Sequence, residues 1–209
     1  MEGGTVCQMS LADSFPRGGK KYELVPDRQI ILAGTTLYRI QALKDFGHVK
    51  AGSLGGFVAS ERNLSQLGDC WVADDAQVYD EAVVSGDAQI YGRGRVYGHG
   101  RVGDRGQVLG NGQVFEDGWV FKNGLVFDNA MVFGAAQVRD KGMVYANAQI
   151  FENVRVIDDG QVCGHAHLSG KTVVGSHEKV GDLVSRVPQR RPTRRRGGPR
   201  FPSPGGRRR

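Results

Sequence analysis

The central half of the chain repeats one pattern of apolar and polar positions every six residues. An aliphatic residue recurs eighteen times without an insertion, at Val72, Val78, Val84, Ile90, Val96, Val102, Val108, Val114, Val120, Val126, Val132, Val138, Val144, Ile150, Val156, Val162, Leu168 and Val174. Two residues before nearly every one of them stands a glycine, an alanine or another small residue. Turn-forming pairs such as Gly110-Asn111 and Asp158-Asp159 separate the repeats.

A period of six fits neither a helix nor a flat meander. At about 3.6 residues per turn, a step of six rotates a helical side chain by about 240°, so the aliphatic residues would not share a face. Three short strands that close one coil do satisfy the period, because the aliphatic residue of each strand then points inward and the small residue fills the corner. We therefore predict an all-β fold, a parallel β-helix of about six coils.

The flanking segments divide the chain into four parts. Residues 1–20 have no periodicity and are expected to be a disordered leader. Residues 21–70 are predicted to form a small N-terminal β cap and its junction, since they begin with short apolar alternations typical of a hairpin. Residues 71–176 are predicted to be the solenoid. Residues 177–209 are a C-terminal segment that ends in an Arg-rich tail, expected to be disordered.

Composition agrees with a solenoid and argues against several other classes. Thirty-two glycines and nine phenylalanines are poor material for a globular core, but they suit coils that bury a face only on their neighbours. Three widely spaced cysteines are typical of a reducing compartment. We find no apolar run long enough for a membrane span and no signal sequence, and we therefore expect a cytoplasmic protein.

Two motifs ahead of the repeats carry a family resemblance. They are residues 49–57 (VKAGSLGGF) and residues 68–72 (GDCWV). Together with the repeat, they resemble the bacterial and phage-borne β-solenoid proteins of the YdcK type, over roughly residues 21–176. The repeat is also similar to the hexapeptide signature of left-handed β-helix proteins, which include many acyltransferases. The resemblance implies a left-handed coil and, by fold analogy, a transferase.

Residues eighteen apart lie above one another in such a coil, so the outward side chains form columns. We name three faces by their inward residues: the first face contains Val72, the second Val78 and the third Val84. The predicted interface residues are the aromatic columns of two faces: Tyr79, Tyr97, Phe115, Phe133 and Phe151 on the second, and Tyr91, Phe127 and Tyr145 on the first. The third face is more mixed, with Ser85, Gly103, Phe121, Arg139 and Ile157 in the same position.

Two explanations of the aromatic columns remain open. Stacked rings stabilise a sheet by themselves. Alternatively, a column of five aromatic residues makes an apolar stripe that another subunit or a partner protein covers. We favour a homo-oligomer, a trimer or a dimer, with a heterologous protein partner as the other possibility.

Candidate catalytic residues are few. Acyltransferases of this fold use a histidine base near a loop extruded from a coil, and the repeat contains no such insertion. If the chain is an acyltransferase, the base is His165 or His167, which have Cys163 nearby, and acyl-CoA is the cofactor. Otherwise we expect no cofactor. We also expect no metal, because His165 and His167 offer at most two ligands on one short strand.

The last segment accounts for the basic charge of the chain. Residues 189–209 contain nine arginines and no acidic residue, so the net charge of +6 leaves about −3 for the rest. Arginines such as Arg190, Arg191, Arg194, Arg195 and Arg196 bind phosphate backbones without sequence specificity. The sequence thus favours a non-catalytic structural or binding solenoid. A CoA-dependent acyltransferase is the first alternative, and a nucleic-acid-associated scaffold that uses the tail is the second.

Overall fold

The chain folds as a parallel β-solenoid of about seven coils, closed at its N-terminal end by an antiparallel cap. The structure is a computed structural model, and it describes residues 19–182. The predicted leader and the Arg-rich tail, with Arg190, Arg191, Arg194, Arg195 and Arg196, lie outside the described residues. The all-β solenoid predicted from the six-residue period is confirmed.

The cap consists of three strands and one turn of 3₁₀ helix. Strands β1 (Tyr22–Leu32) and β2 (Thr35–Ala42) form an antiparallel hairpin with a bulge between Val25 and Gln29. Strand β3 (Leu54–Val58) is antiparallel to β2 on one side, and on the other it begins the parallel pairing of the coils. The 3₁₀ helix (Glu61–Asn63) follows it.

The coils consist of two-residue strands that recur every six residues. They are β4 (Trp71–Val72), β5 (Gln77–Val78), β6 (Val83–Val84), β7 (Gln89–Ile90), β8 (Arg95–Val96), β9 (Arg101–Val102), β10 (Gln107–Val108), β11 (Gln113–Val114), β12 (Trp119–Val120), β13 (Leu125–Val126), β14 (Met131–Val132), β15 (Gln137–Val138), β16 (Met143–Val144), β17 (Gln149–Ile150), β18 (Arg155–Val156), β19 (Gln161–Val162), β20 (His167–Leu168), β21 (Val173–Val174) and β22 (Lys179–Val180).

Every third strand belongs to the same sheet, so the coil has three faces. The first face is the seven-stranded sheet β4-β7-β10-β13-β16-β19-β22. The second face continues the cap as β1-β2-β3-β5-β8-β11-β14-β17-β20, and the third is β6-β9-β12-β15-β18-β21. Pairing is parallel and in register at eighteen residues, as in Val114 with Val132.

The core is a stack of aliphatic residues lined by small ones. All eighteen predicted aliphatic positions are buried. The small position is tight because the next coil passes close to it. A Cβ added to Gly118 would lie 2.6 Å from the Val132 carbonyl oxygen, and one on Gly124 would lie 2.4 Å from that of Val138.

Every corner contains a residue in the left-handed backbone region. The position two residues after each of the eighteen aliphatic residues has a positive φ, from Asp74 (52°) to Ser176 (47°). Glycine takes this conformation without strain, whereas aspartate and asparagine tolerate it better than other residues. In the corner that follows the second face, the occupants alternate as Asp80, Gly98, Glu116, Gly134, Glu152 and Gly170.

Corner carboxylates bind the backbone of the following coil. The N–H of Gly98 donates to Asp80 Oδ2 at 3.1 Å, that of Gly134 to Glu116 Oε2 at 2.9 Å, and that of Gly170 to Glu152 Oε2 at 2.6 Å. Thus each acidic corner residue satisfies an N–H group that the three strands of the coil leave unpaired.

Buried polar contacts attach the cap to the first coil. The Tyr22 hydroxyl donates to the Leu64 carbonyl at 2.7 Å, and the buried Lys21 ammonium donates to the Cys70 carbonyl at 2.9 Å. Burial raises the pKa of the Tyr22 hydroxyl and that of the Cys70 thiol, although the nearby Lys21 opposes the shift at Cys70. The cap therefore closes the N-terminal end of the core.

The coils extend further than residues 71–176. Val58 pairs with Val78, Leu64 bridges to Val84, and Val180 adds one strand beyond Val174, so about seven turns replace the predicted six. The sequence pattern ended early because Glu178 stands where the repeat normally has a small residue. Among residues 19–182, no helix is long and apolar enough to cross a bilayer.

Candidate functional site

The outward side chains of the three faces are the candidate site. Each two-residue strand places one outward side chain before its inward aliphatic residue, and the next residue along the chain supplies a second. Because the coils stack in register, each face presents two parallel columns of side chains. The three faces differ in charge, aromatic content and exposure.

The second face carries a continuous stack of five rings. Ring centroids are 5.2 Å apart between Tyr79 and Tyr97, 4.9 Å between Tyr97 and Phe115, 4.8 Å between Phe115 and Phe133, and 5.1 Å between Phe133 and Phe151. The planes of neighbouring rings are nearly parallel, within 9° of one another. The spacing matches the strand separation of about 4.8 Å, so strand pairing sets it.

Stacking covers the faces of these rings. All five residues are only half-buried, and their edges rather than their faces point to solvent. Partial desolvation raises the pKa of Tyr79 and of Tyr97 above the ordinary tyrosine value. The column therefore cannot offer ring faces to a base or a sugar except at its ends, and it exposes less apolar area than five separate aromatic residues would.

The first face contains fewer rings but has almost no charge. Phe127 stacks on Tyr145 at 4.8 Å, while Tyr91 stands beside the cap, where its hydroxyl lies 2.6 Å from His48 Nε2. The outward residues of β7, β10, β13, β16 and β19 are Gln89, Tyr91, Gln107, Leu109, Leu125, Phe127, Met143, Tyr145, Gln161 and Cys163. None of these ten carries a formal charge at neutral pH.

The third face combines arginines with the most exposed large apolar residues of strands β4 to β22. Val83 (40% exposed), Trp119 (37%) and Val173 (48%) all lie on it. Its outward columns also contain Arg101, Arg139 and Arg155. Sequence reasoning set this face aside because its columns are mixed. Trp119 at an outward position was the signal that could have drawn attention to it.

A groove of about 190 Å³ crosses the third face over Gly103. One wall is the pair Trp119 and Phe121, whose rings stack at 4.1 Å. Val83 and Ser85 line the opposite side, and Arg101 lies between. The groove exists because Gly103 contributes no side chain to a column in which Ser85 and Phe121 are its neighbours.

The two candidate catalytic histidines lie apart from any cleft. His165 and His167 are both exposed. His165 Nδ1 is 3.3 Å from Asp182 Oδ1, and the His165 backbone N–H donates to that carboxylate, which holds the pKa of Asp182 below its ordinary value. His167 belongs to β20 on the second face. No ion pair or hydrogen bond between residues 19 and 182 joins either histidine to Cys163.

Neither a metal-binding cluster nor a cleft around a histidine is found among the residues that the structure describes. Within residues 19–182, no three His, Cys, Asp or Glu side chains lie close enough together to hold a metal ion. The six-residue step runs from β4 to β22 without an extruded loop, so the coils do not enclose a cleft around a histidine.

Comparison with protein-family models and with curated proteins gave no match for this chain. The outward faces of the solenoid are therefore the features from which a function can be inferred.

Proposed function

We propose that the chain is a non-catalytic binding solenoid that associates with copies of itself, with the first face at the centre of the contact. The observation that carries this proposal is the absence of charge from the ten outward side chains between Gln89 and Cys163. The cores of protein interfaces are depleted in charged residues and enriched in aromatic residues and methionine. Leu125, Phe127, Met143 and Tyr145 provide that composition in the middle of the face.

Self-association is favoured over a heterologous partner by charge. In a two-fold contact the same patch meets itself, so a patch with charges of one sign would repel its copy. The third face, with Arg101, Arg139 and Arg155, is unsuited to such a contact. From β7 to β19 the first face has no outward charge to repel. Among the described residues its one outward cation is Lys179 in the last strand, whose ammonium lies 5.9 Å from the Tyr145 ring centre.

The aromatic column of the second face is the adjoining surface. Tyr79, Tyr97, Phe115, Phe133 and Phe151 lie on the side of the second face that borders the third, and they add apolar area when the second face also takes part in a contact of the usual size, about 800 Å² per partner. A dimer would pair first face with first face. A trimer would pack the first face of each subunit against the second face of the next.

The test is a solution mass measured by light scattering on the full chain and on a paired-charge variant. Leu125→Glu with Met143→Lys puts opposite charges on adjacent strands, where they neutralise each other within one subunit while charging the patch. The matched control is Gln137→Glu on the third face, which lies beside Arg155 in the same register.

We expect an oligomer in the wild type and in the control, and a monomer in the paired-charge variant with an unchanged circular dichroism spectrum. A monomeric wild type would refute self-association. An oligomer that survives the paired charges would place the contact on another face.

The Arg-rich tail supports a second candidate, a scaffold that binds nucleic acid. Nine arginines within residues 189–209 favour binding to phosphate backbones, and such binding weakens steeply with salt. Deleting residues 189–209 should abolish salt-dependent binding to random DNA while leaving the oligomer intact. Equal binding by the deleted chain would exclude this role. The YdcK-type relationship stays a proposal on the motifs at residues 49–57 and 68–72.

A further inference from the structure

The groove on the third face is a gap in an otherwise regular column of side chains. In the second-face column every rung from Tyr79 to Phe151 carries a ring, whereas the corresponding third-face column has Ser85, then Gly103, then Phe121. An added Cβ at Gly103 would meet only Ser85 Oγ, at 3.6 Å, and the Gly103 backbone is not in the left-handed region. Neither steric fit nor backbone geometry therefore requires glycine here, unlike at the tight corner positions.

The walls of the groove define what it would hold. The indole of Trp119 and the ring of Phe121, which stack on each other, give an apolar wall, and Trp119 remains 37% exposed. A volume of about 190 Å³ is well below that of most drug-sized pockets, about 300–1,000 Å³, so it suits a single small ring rather than a larger molecule.

The charged group that a ligand in the groove would reach is a cation, the guanidinium of Arg101. Arg101 is exposed, pairs in register with Trp119 and Val83 on either side, and makes no ion pair with any of residues 19–182. Asp104 also borders the groove, but its Oδ2 accepts the Lys122 N–H at 3.2 Å, which turns it toward the following coil. A guanidinium binds carboxylate or phosphate through two parallel hydrogen bonds.

We infer that the groove over Gly103 is a binding site for a small planar aromatic ring that carries one anionic group. The ring lies against Trp119 and Phe121 in the space that a side chain at position 103 would fill, and the anionic group faces Arg101. This site lies on a different face from the proposed self-association, so each stands or falls without the other.

The test follows the two tryptophan indole N–H signals in a ¹H–¹⁵N spectrum of the full chain. Trp71 is 3% exposed and belongs to the core, whereas Trp119 lines the groove, so only one of the two signals should respond. Trp119→Phe identifies its signal. The probe is benzoate, and we expect a dissociation constant of the order of a millimolar, as is typical for a ligand of so few atoms.

Two further probes separate the ring from the charge. Benzyl alcohol keeps the ring and loses the charge, while cyclohexanecarboxylate keeps the charge and loses planarity. Benzyl alcohol should bind about threefold or more weakly than benzoate, given what an exposed charge contributes. Cyclohexanecarboxylate should also bind more weakly, because its puckered ring loses the aromatic contact with Trp119 and Phe121. Equal shifts of the Trp119 signal with all three probes would overturn the recognition of an aromatic anion.

Gly103→Phe is the decisive variant, because it supplies the missing ring and fills the groove. It should abolish the benzoate response without loss of stability. Gly181→Phe is its matched control: Gly181 is also a bare outward position, where an added Cβ lies 3.7 Å from Cys163 Sγ on the first face, and it should leave the response unchanged.

Arg101→Gln keeps the test decisive should Gly103→Phe fail to fold. It should weaken benzoate about threefold and leave benzyl alcohol unaffected. A Trp119 signal that benzoate does not move in the wild type, or moves equally in Gly103→Phe or in Arg101→Gln, would refute the site.

Discussion

At the scale of single residues, the coils contain corner glycines that the backbone requires and outward glycines that it does not. Gly134 has a φ of 60°, and an added Cβ would lie 2.6 Å from the Glu152 nitrogen. Gly103 has ordinary backbone geometry and open space. Corner residues other than glycine are mostly acidic, because a carboxylate in that position offsets the strain by binding the amide of the next coil.

We predict that Gly134→Ala lowers the free energy of unfolding by about 1–3 kcal/mol, since it adds backbone strain and a close contact at once. Gly103→Ala is the matched control and should be neutral or stabilising by up to about 1 kcal/mol, because it restricts the unfolded chain only. Urea denaturation of both variants provides the comparison. Equal losses would mean that corner geometry does not distinguish them.

At the scale of elements, the aromatic column behaves as a row of pairwise contacts. Phe133 has a ring on each side, Phe115 at 4.8 Å and Phe151 at 5.1 Å. Phe151 has one, because Ser169 occupies the next rung. Cross-strand aromatic pairs contribute roughly 0.2–1 kcal/mol each, so position within the column should determine the contribution of a ring.

We predict that Phe133→Leu destabilises the protein about twice as much as Phe151→Leu, with both losses below about 2 kcal/mol. The two substitutions remove the same ring from positions that are both half-buried, so the difference reports mainly the number of stacked neighbours. Thermal or urea melts of the monomeric paired-charge variant would exclude an effect of subunit contacts. A larger loss at Phe151 would show that the rings contribute mainly through contacts other than stacking.

The elements that the sequence could predict are those set by the inward pattern. The aliphatic step from Val72 to Val174 determines the strands, the small residues determine the corners, and stacking at eighteen residues determines the columns. Exposure could not be predicted, because half-burial of Phe115 depends on the rings above and below it. The groove was missed because it arises from an absent side chain at Gly103, which resembles the glycines that the corners require.

At the scale of the whole molecule, each coil is supported only by its neighbours and by the cap. Stability in such an array is approximately a sum of coil and interface contributions, so the ends open before the centre. The two ends differ here. The first coil packs against Tyr22 and the buried Lys21, whereas the strand β22 has a neighbour on only one side among the described residues.

We predict that amide hydrogen exchange is fastest in β20, β21 and β22 and slows toward the centre, with no matching loss of protection in β4 and β7. Peptide-level mass spectrometry of the native chain would measure the gradient. Uniform protection from β4 to β22 would show that the solenoid opens as a single cooperative unit. Tyr22→Phe, which removes the hydrogen bond to the Leu64 carbonyl, should speed exchange at the capped end only.

The sequence of this protein has two periods, since the core repeats every six residues and each face repeats every eighteen. A loss or gain of six residues would keep the inward position of every aliphatic residue, so the packing of the core would be unaffected. Yet all surface residues downstream would move by one face, so that the uncharged patch and the arginine-lined groove would each lie on a different side of the coil. Only changes of eighteen residues preserve both the core pattern and the assignment of side chains to faces. This limits how the gene can lengthen or shorten without changing the surfaces of the protein.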